Sequence, residues 1–417
     1  MIVYEFITLK NGVNLYIIDK PQTPRLAINI SVKGGIRNEY IPGDLRVAAR
    51  LTLKGTKKYP QKELAQTIDE NALSISHTFS ADYSQIKCIA LNDRFDTAIN
   101  ILQEILFHPT FDRFDEEIPL IMGELTYSLD MPAELVSDIL NREFFKGHTY
   151  GYTNSVLAEK ISNLNKENIS QEYFNIITPK NLTIVVVCDV RNVNKEHLVA
   201  EMESNFGKFE NKENILKAHS IQPITKDATV KKILPRANQA HYTTAWQTIK
   251  RGDEKQAAMT VFANILGGNS LTSRLFLELR DAQGLAYGVS AQYIPYQEAG
   301  QFLVSISTTP QNIPKVRQGF ENEIKRMQDH LVPNDELERV KNRLIAAQLI
   351  ASQTNASVAA MSTNGLALGF DINFVNNLYK QMEKVTPEEV LTTAQSINTN
   401  SITAIVSANE NDFLNLE

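Results

Sequence analysis

Gln85-IKCIALNDRFDTAINILQE-Ile105 reads as a strand, a short polar break and an amphipathic helix, and the same pattern returns as Gln301-FLVSISTTPQNIPKVRQGFENE-Ile324. The two lie roughly 216 to 219 residues apart. A second pair has almost the same offset. NISQEYFNIITPKNLTIVVVCDV (168–190) and EVLTTAQSINTNSITAIVSAN (389–409) each lead from a helix through a Thr/Asn break into a strand, with Thr183 matching Thr403. Between them, Ile118-PLIMGELTYSLD and Val340-KNRLIAAQLIAS are two long helices in register. Three ordered matches at nearly one offset mark a duplicated unit of roughly 200 residues, far longer than a solenoid repeat.

The boundary between the copies falls in ENKENILKAHSIQPITKDATVKK, which is charged, lacks strong periodicity and carries Pro223. Residues 1–212 form one domain, 213–230 a linker and 231–417 a second domain. Within each half, strands alternate with helices, which predicts an α+β sandwich with helices on a sheet. Strands are expected at 15–18, 26–32, 84–91 and 182–187, and helices at 45–53, 61–71, 94–106, 115–129 and 133–146. Pro119 is expected in the first turn of the fourth helix, where its missing N–H is tolerated.

Composition narrows the function. At 417 residues, the chain exceeds what one core usually covers. Forty-two basic against 48 acidic residues, net charge −6, argue against a nucleic-acid footprint. Two cysteines, Cys88 and Cys188, make neither a disulfide framework nor a four-thiolate metal site; both sit in apolar strands, as inert buried thiols do. The longest clean apolar run, 182–188, is broken by Thr183 and is too short to span a membrane. MIVYEFITLKNG lacks the form of a secretory signal, so a cytoplasmic location is the expectation.

Familiar catalytic motifs are missing. The histidines, at 77, 108, 148, 197, 219, 241 and 330, include no two within 20 residues of each other, which excludes a helical zinc site built on His at i and i+4. No nucleophile elbow G-x-S-x-G and no phosphate-binding G-x-x-x-x-G-K-[ST] occurs.

One long stretch carries a resemblance. Leu266-Gly267-Gly268, Ser273-Arg274-Leu275-Phe276 and then Arg280 through Gly284-Leu285-Ala286-Tyr287 resemble the C-terminal half of pitrilysin/insulinase-type zinc proteases, the group that includes mitochondrial processing peptidase. VKGGIRNEY (32–40), LKGTKKYP (53–60) and the Gly123-Glu124-Leu125 stretch extend the likeness through the N-terminal half. It implies two homologous α/β sandwich domains, each a mostly antiparallel sheet covered by helices, as in one half of a pitrilysin-type clamshell.

The family's zinc motif, H-x-x-E-H on a helix, ends shortly before K-G-T. Aligned back from Lys54-Gly55-Thr56, it falls on Arg46-Val47-Ala48-Ala49-Arg50. Both histidine positions are arginine and the base is Ala49, while Glu124 matches the distal ligand glutamate. Guanidinium has no lone pair to give and stays charged. No metal is expected in this chain. Read as residues alone, Arg46, Arg50 and Glu124 are equally an ion-pair cluster.

Arg280 and Tyr287 remain. Ser270 or Thr272 can cap a helix over roughly 273–281, with Gly284 at its C-terminal end and Tyr287 opening a strand. On residue chemistry alone Arg280 is a charge–dipole pair and Tyr287 a core aromatic. The resemblance implies instead that the two complete an active site whose zinc an N-terminal half holds. It also implies peptide capture at a sheet edge, with Gln239-Ala240-His241-Tyr242 and the strand around Tyr293 as candidate edges and Gly267 and Gly268 as further substrate-binding candidates; on residues alone the two strands read as ordinary sheet core. His241 by itself reads as a strand-end histidine.

The leading expectation is therefore the non-zinc subunit of a heterodimeric peptidase. It would work with a homologous zinc-bearing H-x-x-E-H partner and act on peptides, with no cofactor of its own, no nucleic acid and no membrane span. The alternative is a catalytically inactive peptide-binding or structural homologue, a homodimer or a complex core subunit.

Overall fold

The computed structural model describes residues 2–211, 216, 220–268, 270–397 and 400–413. Of the expected linker, residues 213–215 and 217–219 lie outside the described residues.

Two sheets form. The first holds β1 (Glu5–Thr8), β2 (Asn14–Asp19), β3 (Arg25–Lys33), β4 (Ser74–Phe79), β5 (Tyr83–Leu91) and β6 (Leu182–Cys188), in the order β1-β2-β6-β3-β5-β4. The second holds β7 (Ala228–Ile233), β8 (Ala240–Thr248), β9 (Ala286–Pro295), β10 (Gly300–Thr308) and β11 (Ile402–Ser407), in the order β7-β11-β8-β10-β9. Without β1 the two orders are the same. Each sheet is antiparallel except for one parallel pair, β2 with β6 and β7 with β11. Thr183 and Thr403, matched by sequence, are the second residues of the equivalent strands β6 and β11. The Ile-Val-Val-Val run of β6 is buried along its whole length, as a strand covered on both faces requires. β4, at an edge, alternates between exposed and half-buried positions.

The helices that position the site are α1 (Asp44–Leu51), α2 (Phe95–Phe107), α3 (Phe114–Leu129), α4 (Pro132–Phe144), α5 (Gln256–Gly267), α6 (Ile313–Asp329), α7 (Asn334–Ala351) and α8 (Asn355–Ala367). The expected strands and helices are all present to within two residues at each end. Pro119 differs: α3 starts at Phe114, so the proline sits in its second turn rather than its first.

The compact units depart from the contiguous halves expected from sequence. One unit comprises Met1–Met122, Glu159–Ala218 and Gln348–Asn377; the other comprises Gly123–Ala158, His219–Ala347 and Leu378–Glu417. The duplicated long helices α3 and α7 each carry the chain from one unit to the other. The helix that follows each, α4 or α8, therefore covers the sheet of the other copy. In the first unit Ala359, Leu366 and Ile372 pack with Ile18, Ala27, Val185 and Val187. Asn355 Nδ2 donates to the Arg25 carbonyl at 2.7 Å and to Thr23 Oγ1 at 2.9 Å. In the second unit Gln301 Nε2 donates to Asn141 Oδ1 at 3.0 Å. The ring of Phe145 meets that of Tyr296 edge-on at 5.0 Å. His148 Nδ1 accepts from the Tyr150 N–H, and its Nε2 lies 2.7 Å from Glu298 Oε2. Helical periodicity tells that a helix has an apolar face. It does not tell which of two near-identical sheets that face will cover.

Candidate functional site

Helix α1 carries the replaced zinc motif, and its two guanidinium groups are already committed. Arg46 grips Glu39 with both arms, Nε to Oε1 at 2.9 Å and Nη2 to Oε2 at 3.1 Å. Glu39 is buried and also accepts from the Gly43 N–H at 2.8 Å. Arg50, one turn on, sends Nε to Glu117 Oε2 at 2.9 Å, and Lys54 Nζ reaches Glu117 Oε1 at 2.8 Å. Burial acts to raise the Glu117 carboxyl, but Lys54 and Arg50 outweigh it and hold it below the ordinary value. Asp44, in the first turn, is buried beside Glu39. Its oxygens accept from the N–H groups of Tyr40, Ile41 and Leu45. Burial, and then the Glu39 charge, push it up to about 7.

Glu39 and Glu117 are the residues the sequence reading missed. Glu117 carried a usable signal, because it lies seven residues before Glu124 on α3 and so shares its helical face. Glu39 lies seven residues before Arg46 in an irregular turn, with no periodic signal. Glu124 itself lies in the part of α3 that belongs to the second unit.

A divalent cation does not fit α1. Its ligand positions are Arg46 and Arg50, the base position is the buried methyl of Ala49, and Glu39 and Glu117 are spent on cations. Among the described residues no group of three or more His, Cys, Asp and Glu side chains could hold a metal ion. Behind Ala49, Thr52 Oγ1 donates to the Ala49 carbonyl at 2.7 Å and lies 2.9 Å from His77 Nδ1. Because the Thr52 hydroxyl proton is used on Ala49, it is His77 Nδ1–H that donates to Thr52. His77 Nε2 is enclosed without a partner among the described residues, and burial pulls the ring down to about 4, so it is neutral.

The second unit presents Arg280 and Tyr287. The stretch expected as a helix over 273–281 starts at Arg274 and widens to a π-helical turn over Phe276–Ala282. Ser270 and Thr272 pair with each other (Oγ to Oγ1, 2.9 Å), and neither hydroxyl caps that helix. Gly284, with φ +62°, ends it: the N–H of Gly284 bonds the Arg280 carbonyl, and that of Leu285 bonds the Leu279 carbonyl. The reversal brings the first residues of β9 back over the helix end. The Arg280 guanidinium lies 4.7 Å from the Tyr287 ring centre and 4.5 Å from that of Phe276. The pair therefore converges, and Tyr287 is 83% exposed rather than a core aromatic. Phe276, also missed, stands four residues before Arg280, the spacing of helical neighbours.

Of the two strands named as candidate edges, one lies at an edge. β9, with Tyr293, is an edge strand. Ala240, His241 and Tyr242 are not at an edge: they open β8, which pairs with β10 on one side, while Tyr242 and His241 also pair with β11 on the other. Gln239 precedes that strand and is exposed. His241 Nδ1 lies 3.1 Å from Ser307 Oγ, and burial lowers its pKa. Gly267 has a packing reason of its own, since a Cβ there would lie 2.4 Å from the Ala291 nitrogen in β9. At Gly268 it would meet Asn264 Oδ1 at the same distance. Cys88 and Cys188 are free and buried, and burial pushes both thiols up to about 12.

Fold and site together define a peptidase-like chain whose zinc-motif helix has no donor side chain at the two metal-ligand positions. Residues 15–157 match the model of insulinase (peptidase family M16), and residues 163–344 match that of the peptidase M16 inactive domain. The two models together take in more than half of the chain, which belongs to the insulinase-type M16 peptidase family. An uncharacterized zinc protease of Bacillus subtilis is 24% identical over 367 residues, covering 87% of this chain and 88% of its own. A protease from Helicobacter pylori has the same fold, with TM-score 0.90 at 18% identity over 97% of this chain and 100% of that one. So does a peptidase M16 inactive domain from Pseudomonas fluorescens, with TM-score 0.85 at 16% identity over 97% and 98%. No helix among the described residues is long and apolar enough to cross a membrane.

Proposed function

We propose that this chain is the non-zinc subunit of a heterodimeric M16-type peptidase. In this reading a homologous partner of similar length keeps H-x-x-E-H and holds the zinc, and this chain supplies Arg280 and Tyr287 in trans. Arg280 positions a substrate main-chain oxygen, and the Tyr287 phenol donates to the oxyanion that develops on the scissile carbonyl. The substrates are peptides or unfolded segments.

One observation carries the reading. Arg280 and Tyr287 converge on an exposed face at 4.7 Å, while the metal-ligand positions on α1 are filled by arginines bound to carboxylates. A chain kept only as a scaffold has no need of the first arrangement. The test is to mix this chain with its zinc-bearing homologue and follow peptide hydrolysis. Tyr287→Phe should lower kcat by about 10²- to 10³-fold, as loss of an oxyanion donor does. An unchanged rate rejects the trans role.

A second reading is an inert peptide-binding or structural homologue, alone or within a larger complex. The inactive-domain description of the model matching 163–344 favours it. Purification of the native complex separates the two, because only the first requires a zinc-bearing homologue in stoichiometric amount.

A further inference from the structure

We infer that the Phe276–Arg280–Tyr287 stack is a receptor for a peptide carboxylate, an inference that rests on reading this pair as substrate-contacting. The arginines at 46, 50, 191, 274 and 317 each have a carboxylate partner within 3.0 Å. Arg280 differs: among the described residues its guanidinium makes no hydrogen bond and no ion pair, and only ring contacts are found. Its acidic neighbour Glu278 is engaged elsewhere, accepting from Gln283 Nε2 at 2.8 Å.

The stack decides what Arg280 can bind. Phe276 at 4.5 Å and Tyr287 at 4.7 Å cover the guanidinium and use none of its donors. Among the described residues no oxygen acceptor takes up its N–H groups, which lie in the plane of the fork. A carboxylate matches that fork with two parallel charge-assisted bonds; an amide carbonyl offers one neutral oxygen. The Gly284 turn holds Tyr287 seven residues from Arg280 on a short, hydrogen-bonded path, so the receptor is formed before a ligand arrives. Phe276 acts as a positioning residue, keeping the fork in one plane.

The carboxylate is either the C-terminus of a peptide or an acidic side chain, and three probes tell them apart on this chain alone. Acetyl-trialanine as the free acid, the same peptide as its C-terminal amide, and acetyl-Ala-Glu-Ala amide are titrated while the Arg280 Nε–Hε NMR signal, assigned by its loss in Arg280→Lys, is followed. The free acid should bind about three- to tenfold more tightly than its amide. If acetyl-Ala-Glu-Ala amide matches the free acid, the receptor takes side chains as well as termini; if it matches the amide, the receptor is selective for termini. Phe276→Ala should lose the preference and Phe276→Tyr keep it. Thermal melts like wild type show that each variant is folded. Equal binding of all three peptides by wild type overturns the inference, as does an unchanged preference in Phe276→Ala or in Arg280→Lys, the latter read by calorimetry. These outcomes are independent of the mixed enzyme. A carboxylate preference with no effect of Tyr287→Phe on hydrolysis rejects the trans role and leaves the receptor standing, and the reverse pattern does the opposite.

Discussion

Asp44 and His77 flank the replaced zinc motif and respond to pH in opposite senses. Asp44 is raised to about 7 by burial and by Glu39, whereas an unfolded chain releases that proton near 4. Between those values the native state holds a proton the unfolded state lacks, so stability falls as pH rises across about 4 to 7. His77 is lowered to about 4 by burial, against about 6.5 unfolded. In that window the unfolded state binds the extra proton, so its contribution is lost as pH falls. The two slopes oppose each other in wild type. His77→Asn should expose a decline in urea stability from pH 4.5 to 6.5, at most about 1.4 kcal/mol per pH unit; Asp44→Asn should show the opposite slope. Flat profiles in both variants contradict the enclosure of these groups. At this scale the resemblance located the lost zinc donors at Arg46 and Arg50 and the lost base at Ala49, and residue type decided the loss, because ligand chemistry is a property of the side chain. It did not show what neutralises the arginines, because Glu39 reaches Arg46 across a loop and Glu117 reaches Arg50 from another helix.

The π-helical turn and the packing of α5 under β9 act on whole elements. A widened turn shifts the helical register by one residue, too little for a periodicity over 273–281 to reveal, yet it sets where Arg280 points relative to Phe276. α5 ends against the backbone of β9, and Gly267 permits the approach: a Cβ would meet the Ala291 nitrogen at 2.4 Å and its Cβ at 2.7 Å. Gly267→Ala should cost about 1 to 3 kcal/mol in urea denaturation through overpacking, whereas Gly288→Ala, in β9 with open space around it, should stay within about 0.5 kcal/mol of wild type. Equal effects at the two sites refute close packing as the role of Gly267. The LGG motif thus has a structural meaning in addition to its place in the family resemblance. The sequence left 239–242 between sheet core and edge for a related reason: a strand's own sequence shows that it is a strand, while its place in the sheet depends on partners about 65 and 164 residues away.

For the whole molecule, the exchange of α4 and α8 makes the halves interdependent. Residues 1–212 alone would leave β3 and β6 without α8 and expose the apolar face of α4; residues 231–417 alone would leave β8 and β11 without α4. Each fragment should bind a hydrophobic dye and melt without cooperativity, and coexpression of the two should restore a cooperative melt. Fragments that melt cooperatively on their own contradict the exchange. The amino-acid sequence by itself determined the duplication, the α+β class, the strands and helices and the missing zinc donors, because periodicity, composition and ligand chemistry are local or repeat at a fixed offset. Only the tertiary structure decided which sheet each copy's helix covers, which carboxylates hold the arginines, which strands are edges, and that Phe276, Arg280 and Tyr287 form one stack. Those depend on contacts between distant segments, where two nearly equal sheets or several carboxylates compete for one partner and packing selects among them.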